Sequence, residues 1–219
     1  MKTENNTGLG LIKTTIERVQ ASKLFTSALK KLANSTEAEL QRFIGDVKRV
    51  LKNLTLLCKI IIPEVEVFIV GEKFKHRAKK EIDIEMYIHD NFREWILNPM
   101  KNQPLSLSDG ITLEKFNLNK SMHDSQIKNE LGNPKPIYVT AFFPILLNLL
   151  RQQPNGEAKE NGLLNNGYAN IFHVELEDGR VVAVNVYWDD VEWDLLAYDL
   201  DFDLAWDDSN SFFTPATGN

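Results

Sequence analysis

Three strand-like runs near the C-terminus constrain the fold of this chain most strongly. Each run is rich in apolar and aromatic residues and is bounded by turn residues. Acidic turns separate the runs, and Asp178-Gly179 is a dipeptide typical of tight hairpins. The pattern therefore predicts a three-stranded antiparallel β-meander over residues 169–200, with strands at 169–176, 181–188 and 193–200.

A three-stranded meander cannot bury its own apolar face, so another element has to cover it. The strongly apolar segment 137–150 lies directly upstream in the sequence. We expect this segment to be a buried helix with Pro144 in or near its first turn. We also expect part of the tail after Phe202 to dock, since Trp206, Phe212 and Phe213 offer aromatic anchors.

The N-terminal quarter shows a different period. Apolar residues recur at helical spacing from Leu9 to Leu32, and Thr36 and Glu39 form a capping-box pattern before a second periodic run. These signals predict an N-terminal helical hairpin over residues 1–62, packed on the rest of the chain. Cys58 is then a core residue at the end of the second helix.

After Pro63 the spacing of apolar residues changes from the helical period of 3.6 residues to the strand period of two residues. Strands are predicted near 65–70 and 82–87, and a segment of ten residues joins them. Further elements are a short helix at 91–97 with Asp90 as its cap, a strand within 105–118, and a helix at 121–131. The expected fold class is α+β: the helical hairpin, then a mixed domain over 63–219 with an antiparallel sheet and the meander.

Charge is distributed unevenly along the chain. The formal net charge of −6 hides an excess of eight positive charges over residues 1–80 and of eleven negative charges over residues 138–219. Such polarity favours charged partners, including head-to-tail association of copies through opposite ends.

One cysteine excludes an intramolecular disulfide and a multi-cysteine zinc site. No apolar run reaches the length of about 18 residues needed to cross a bilayer. The N-terminal residues lack the apolar core of a secretory signal. We therefore expect a cytoplasmic protein without membrane association.

The sequence of the predicted meander resembles that of other proteins. The run from Asn165 to Val174 (NNGYANIFHV), the Gly179-Arg180 turn, and Trp188 and Trp193 resemble the C-terminal signature of a family of hypothetical proteins from uncultivated candidate-phylum bacteria. The segments Gly71-Glu72-Lys73-Phe74 and 91–95 are similar to the same group. The resemblance implies a shared domain over about residues 68–219 and transfers no catalytic residue.

Two His-Asp pairs, His89-Asp90 and His123-Asp124, invite comparison with metal-dependent phosphohydrolases that bind a metal through such pairs. Those enzymes present their ligands from helices, whereas these pairs stand among strand, turn and loop signals. Because aspartate suits the start of a helix, helix capping is the favoured interpretation. Neither a nucleophile elbow nor a phosphate-binding glycine loop is present in the sequence.

The acidic series near the C-terminus includes Asp199, Asp201 and Asp203, which are spaced like the first ligands of a calcium loop. The sixth position of that pattern is Leu204 instead of glycine, and the twelfth is Asn210 instead of glutamate. Alternation with Leu200, Phe202 and Leu204 instead predicts that these aspartates form the solvent face of a strand. Calcium or magnesium binding by the three aspartates is kept as a minor alternative.

The segment 73–80 is the most distinctive basic feature. It carries five Lys and Arg side chains and no acidic one, and Phe74 is its single aromatic residue. We call it the basic segment. Its candidate residues for binding a polyanion or a protein partner are Lys73, Lys75, His76, Arg77, Lys79 and Lys80.

These observations favour a non-enzymatic interaction or regulatory protein that acts through charged surfaces, by binding a protein partner or another copy. The first alternative is nucleic-acid binding through the basic segment and the helical hairpin. The second is a metal-dependent hydrolase using the His-Asp pairs. No cofactor is expected.

Overall fold

The computed structural model describes residues 53–76, 84, 86–200 and 205–216. Strands account for 40% of these residues and helices for 23%. The predicted α+β class is therefore wrong: the described part of the chain is mostly β, built on one mixed sheet with short helices. Residues 1–52 of the predicted hairpin lie outside the described residues.

Twelve strands are found in the described part of the chain. They are β1 (Leu54–Ile62), β2 (Val65–Ile69), β3 (Met86–Ile88), β4 (Pro104–Leu107), β5 (Ile111–Leu118), β6 (Met122–His123), β7 (Ile137–Tyr138), β8 (Asn170–Glu175), β9 (Val181–Trp188), β10 (Trp193–Asp199), β11 (Ala205–Trp206) and β12 (Ser211–Pro215).

The helices of the described residues are short. They are α1 (Val70–Lys73), α2 (Asp90–Phe92), a π-helical turn (Arg93–Leu97) that continues into α3 (Asn98–Met100), α4 (Asp124–Glu130) and α5 (Val139–Arg151). Within the described ranges, no helix combines the length and the apolar character needed to cross a membrane.

Eight strands form the main sheet in the order β1-β5-β12-β8-β9-β10-β3, and β7 adds to the end of β8. The three strands of the predicted meander are present as β8, β9 and β10, paired antiparallel. Strand β12 lies between β5 and β8 and is parallel to β8. The two strands predicted on either side of the basic segment belong to different sheets, since β2 pairs with β4 and β3 pairs with β10.

The segment Leu54–Ile62 corrects the predicted helical hairpin. It forms an edge strand antiparallel to β5, so Cys58 lies in a strand and is partly exposed. An apolar run of this length fits a helix end or a strand equally well by period. Its three consecutive isoleucines favour the strand, because β-branched side chains pack well on a pleated surface.

The main sheet buries two faces unequally. Its first face, which carries Phe172, Val184 and Leu195, packs in the large core with α5. Pro144 lies well inside α5, beyond the predicted first turn, and is buried with the helix. The second face, which carries Ile171, Ala183 and Phe212, forms a smaller core with Ile127 of α4 and Trp206 of β11. That smaller core leaves part of the second face accessible.

The side chain of Gln153, which is fully buried, holds the loop 151–167 in place through hydrogen bonds. Its amide nitrogen donates to the carbonyl oxygens of Glu157 (2.6 Å) and Leu163 (3.1 Å), and its amide oxygen accepts from the Leu163 N–H (2.7 Å). Lys115 on β5 makes a further hydrogen bond to this loop: its Nζ donates to the Gly162 carbonyl oxygen at 2.7 Å. Burial lowers the pKa of the Lys115 ammonium.

Two glycines of this loop fit positions that other residues would not. Gly156 has a positive φ of 66°, and a Cβ there would lie 2.2 Å from the Trp188 ring. A Cβ on Gly162 would lie 2.1 Å from the Gln153 amide oxygen. Glycine at both positions therefore lets the loop close over the core without displacing Trp188 or the Gln153 side chain.

Candidate functional site

An open groove of about 540 Å³ lies over the accessible part of the second face. Strands β9 and β10 form its floor, while the segments 166–169 and 205–210 form its walls. The described lining residues are amides, tyrosines and one aspartate among small and apolar groups, and none of them is a lysine, arginine or histidine: Asn166, Gly167, Tyr168, Ala169, Asn185, Tyr187, Tyr198, Ala205, Trp206, Asp207 and Asn210. We call this cavity the groove.

Asn185 stands in the floor of the groove. Its neighbours across the sheet are Ile171 on β8 and Leu196 on β10, so neither adjacent strand offers it a polar partner. The amide oxygen Oδ1 is buried and accepts no hydrogen bond from the residues that the structure describes. A buried acceptor of this kind costs about 1–3 kcal/mol when it is left unpaired. The groove therefore contains a polar atom whose hydrogen-bonding capacity is unused.

Tyr187 lies one pleat further along β9, directly across from Asp194 on β10. Its hydroxyl donates to Asp194 Oδ2 at 2.6 Å. Burial raises the pKa of the Tyr187 hydroxyl, and the hydrogen bond to Asp194 raises it further. The phenol therefore keeps its proton, directed at Asp194, and its oxygen can only accept a hydrogen bond from a ligand.

Asp194 links the groove to a neighbouring histidine. Its side chain is only 9% exposed, and Oδ2 also contacts His89 Nε2 at 3.4 Å. The second carboxylate oxygen, Oδ1, is buried and has no hydrogen-bond partner among the described residues. Asp194 thus places negative charge behind Tyr187 and fixes the direction of its hydroxyl.

Hydrogen bonds within a buried cluster of Asp124, His173 and Trp206 hold β11, which forms one wall of the groove. The Trp206 indole N–H donates to Asp124 Oδ1 at 3.0 Å, and His173 Nε2 contacts the same oxygen at 2.6 Å. Asp124 is the first residue of α4, and the His173 and Asp124 side chains are each 6% exposed. One carboxylate therefore joins α4, β8 and β11.

The opposite wall is held by Asn210. Its side-chain oxygen accepts from the Ala169 N–H at 2.9 Å, and its backbone carbonyl accepts from the Leu118 N–H at 2.9 Å. Ser209 beside it has a positive φ of 73°. These bonds set the spacing between segments 166–169 and 205–210, and so the width of the groove.

The residues predicted in the basic segment are placed only in part. Lys73 is half-buried at the end of α1, while Arg77, Lys79 and Lys80 lie outside the described residues. The single aromatic residue of the segment, Phe74, is buried in the large core. His76 is exposed, and its Nδ1 accepts the Ile88 N–H at 3.1 Å.

His76 begins an aromatic row that the sequence patterns do not predict. Its ring contacts Tyr87 edge-on at 4.7 Å between ring centroids, and Tyr87 contacts His89 in the same way at 4.5 Å. Tyr87 is the neighbour of Asp194 across β3 and β10. The row therefore runs along the same face of the sheet as the groove.

The predicted acidic site is likewise placed only in part. Asp199 is exposed at the end of β10, and Asp201 and Asp203 lie outside the described residues. Within the described part of the chain, no three His, Cys, Asp or Glu side chains come close enough together to hold a metal ion.

In each His-Asp pair, the histidine and the aspartate contact different residues. His89 contacts Asp194, whereas Asp90 pairs with Arg93 one helical turn away. The His123 backbone N–H donates to Gln126 Oε1 at 2.9 Å, whereas Asp124 contacts His173. The aspartates are the first residues of their helices, and the histidines before them occupy the cap positions, so the predicted cap at Asp90 is one residue too late.

Asn185, Tyr187 and Asp194 are not among the site residues predicted from the sequence. A signal was available: each is a polar residue between buried neighbours on a predicted strand of the meander. The turn at Asp189-Asp190 also sets the register that brings Tyr187 opposite Asp194.

Comparison with known proteins gave no match to a family model, to a curated protein or to a solved structure.

Proposed function

We propose that this protein is a non-enzymatic binding protein that holds a small polar organic group in the groove. The observation that carries the proposal is Asn185 Oδ1, an acceptor buried in the floor and unpaired. A ligand donor that reaches that oxygen when the Asn185 amide turns toward the groove would remove the cost of leaving it unpaired. The groove is also large enough for a ligand of several heavy atoms, and its walls are fixed by Asp124 and Asn210.

The proposal is tested by titrating ¹⁵N-labelled protein with small neutral, cationic and anionic fragments. We expect saturable shifts at Gly167, Ala169 and the Asn185 side-chain amide. Asn185→Ala should weaken the bound fragment about fivefold, the value of one hydrogen bond. Asn129→Ala is the matched control, since Asn129 is exposed on α4 and does not line the groove. Saturable shifts confined to other surfaces, or none from any class, would overturn the proposal.

A second candidate, polyanion binding through the basic segment, is favoured by one structural observation. Binding single-stranded nucleic acid needs aromatic rings beside positive charge. Phe74 is buried, but the row formed by His76, Tyr87 and His89 supplies rings next to the basic segment. We propose that this row and the basic segment contact such a polyanion together.

Reversing charge in the basic segment tests this candidate. The variant carries Lys75→Glu, Arg77→Glu, Lys79→Glu and Lys80→Glu, and we expect it to bind a fluorescent single-stranded oligonucleotide at least tenfold more weakly in an anisotropy assay. Reversal of Lys101, Lys120, Lys128 and Lys135 gives the same change in net charge elsewhere and should weaken binding less. Equal losses in both variants, or no binding by the unchanged protein, would contradict the candidate.

A further inference from the structure

We infer that the ligand of the groove is an organic cation that carries N–H donors, such as a primary ammonium group on an alkyl chain. This inference rests on the proposed function and goes further by naming the ligand class. It follows from the direction of the hydrogen bonds in the groove, the identity of its rings and the sign of its charges.

The first argument is the polarity of the hydrogen bonds. The Tyr187 hydroxyl donates to Asp194, so its oxygen accepts from the groove side, and Asn185 Oδ1 is a second acceptor. Both atoms are acceptors, so a ligand group that bonds to them must supply donors. An ammonium group supplies up to three.

The second argument is the rings. Tyr168, Tyr187 and Tyr198 all line the groove. The face of a tyrosine ring attracts a cation within about 6 Å, by about 0.5–1 kcal/mol at exposed sites and more when the cation is desolvated. Burial raises the pKa of the Tyr198 hydroxyl as well, so this ring stays neutral. An alkyl chain would in addition cover the apolar surface of the rings.

The third argument is charge. Asp207 lines the groove, and Asp194 accepts from Tyr187 in its floor, whereas none of the described lining residues is a lysine, arginine or histidine. An anion would meet no positive group among these described residues to offset the cost of leaving water. A neutral polyol would gain no attraction from the two aspartates. The cation is the class that meets all three features.

The test compares four probes of similar size by NMR titration: n-butylammonium, tetramethylammonium, n-butanol and butyrate. We expect n-butylammonium to bind at least fivefold more tightly than n-butanol and more tightly than tetramethylammonium, which lacks N–H donors. Butyrate should not shift the groove resonances. Added salt should weaken binding of n-butylammonium and leave that of n-butanol unchanged.

One substitution is expected to raise the affinity for the ligand, whereas a substitution that merely disturbs the groove would lower it. Asn185→Asp places a carboxylate at the unpaired acceptor, and we expect n-butylammonium to bind about tenfold more tightly. Asn129→Asp adds the same charge on exposed α4 and should change affinity less than twofold. A lysine-containing peptide, titrated in parallel, shows whether the ammonium comes from a free amine or from a protein side chain, according to which binds more tightly.

The outcomes separate the two proposals. If n-butanol or butyrate binds in the groove as tightly as n-butylammonium, the cation assignment is overturned and the binding function remains. If Asn185→Asp folds and does not gain affinity, the assignment is also overturned. If no probe shifts the groove resonances, both proposals are overturned. The ranking of the probes on the unchanged protein decides the question even where a variant does not fold.

Discussion

Asp124→Ala should lower the free energy of unfolding by about 2–6 kcal/mol, since each of two buried donors left without its acceptor costs about 1–3 kcal/mol. The substitution leaves His173 and the Trp206 indole N–H buried without their acceptor. It also removes a negative charge from the first turn of α4, which contributes less than about 1 kcal/mol. The measurement is urea unfolding at neutral pH.

The chain offers a matched control for this prediction. Asp90 is also the first residue of a helix, but its side chain is 76% exposed and pairs with Arg93, which is partly exposed. Asp90→Ala should cost less than about 1 kcal/mol. Equal losses from the two alanine variants would contradict the role assigned to the buried cluster. If Asp124→Ala does not fold, Asp124→Asn and His173→Gln, alone and combined, measure the coupling by a double-mutant cycle.

Gln153→Leu should lower the free energy of unfolding by about 3 kcal/mol, because leucine fills the volume but makes none of the hydrogen bonds. The Leu163 N–H and the carbonyl groups of Glu157 and Leu163 then lose their partners. We expect the loss to be local as well as global. Amide exchange at Leu163 should become faster than at the strands of the main sheet.

The control for Gln153 is the residue before it. Gln152 is exposed and bonds to Asn148 on the surface of α5 at 2.7 Å. Gln152→Leu should change the free energy of unfolding by less than about 1 kcal/mol. If both leucine variants have the same stability, the loop is not held by the buried amide.

The sequence predicted the meander because its signals are local. Alternation along each strand fixes which side chains face the core, and the turn at Asp178-Gly179 fixes the first hairpin. Gly179 adopts a φ of 82° there, which the dipeptide indicates. The docking of the tail was also predicted correctly from its aromatic residues, since Trp206, Phe212 and Phe213 are all buried.

The order of the main sheet was not predictable in the same way. Strand β12 pairs with β5 and β8, which lie far from it in the sequence, and no turn signal connects these strands. The segment Leu54–Ile62 was misassigned to a helix for a related reason. Its strand conformation depends on pairing with β5, a contact that its own residues do not encode.

The groove was missed because its residues have no motif. Asn185, Tyr187 and Asp194 belong to two different strands. Only the register between these strands places the three side chains together on the second face. Charge along the sequence pointed instead to the basic segment and to Asp199, Asp201 and Asp203. Buried acceptors without partners are visible only when the neighbours of each atom are known.

The most direct test of the central claim is the titration of ¹⁵N-labelled protein with n-butylammonium, followed at the side-chain amide of Asn185. The account predicts a saturable shift of that amide together with Gly167 and Ala169, and a weaker effect of n-butanol. An Asn185 amide that does not move while other surfaces respond would contradict it.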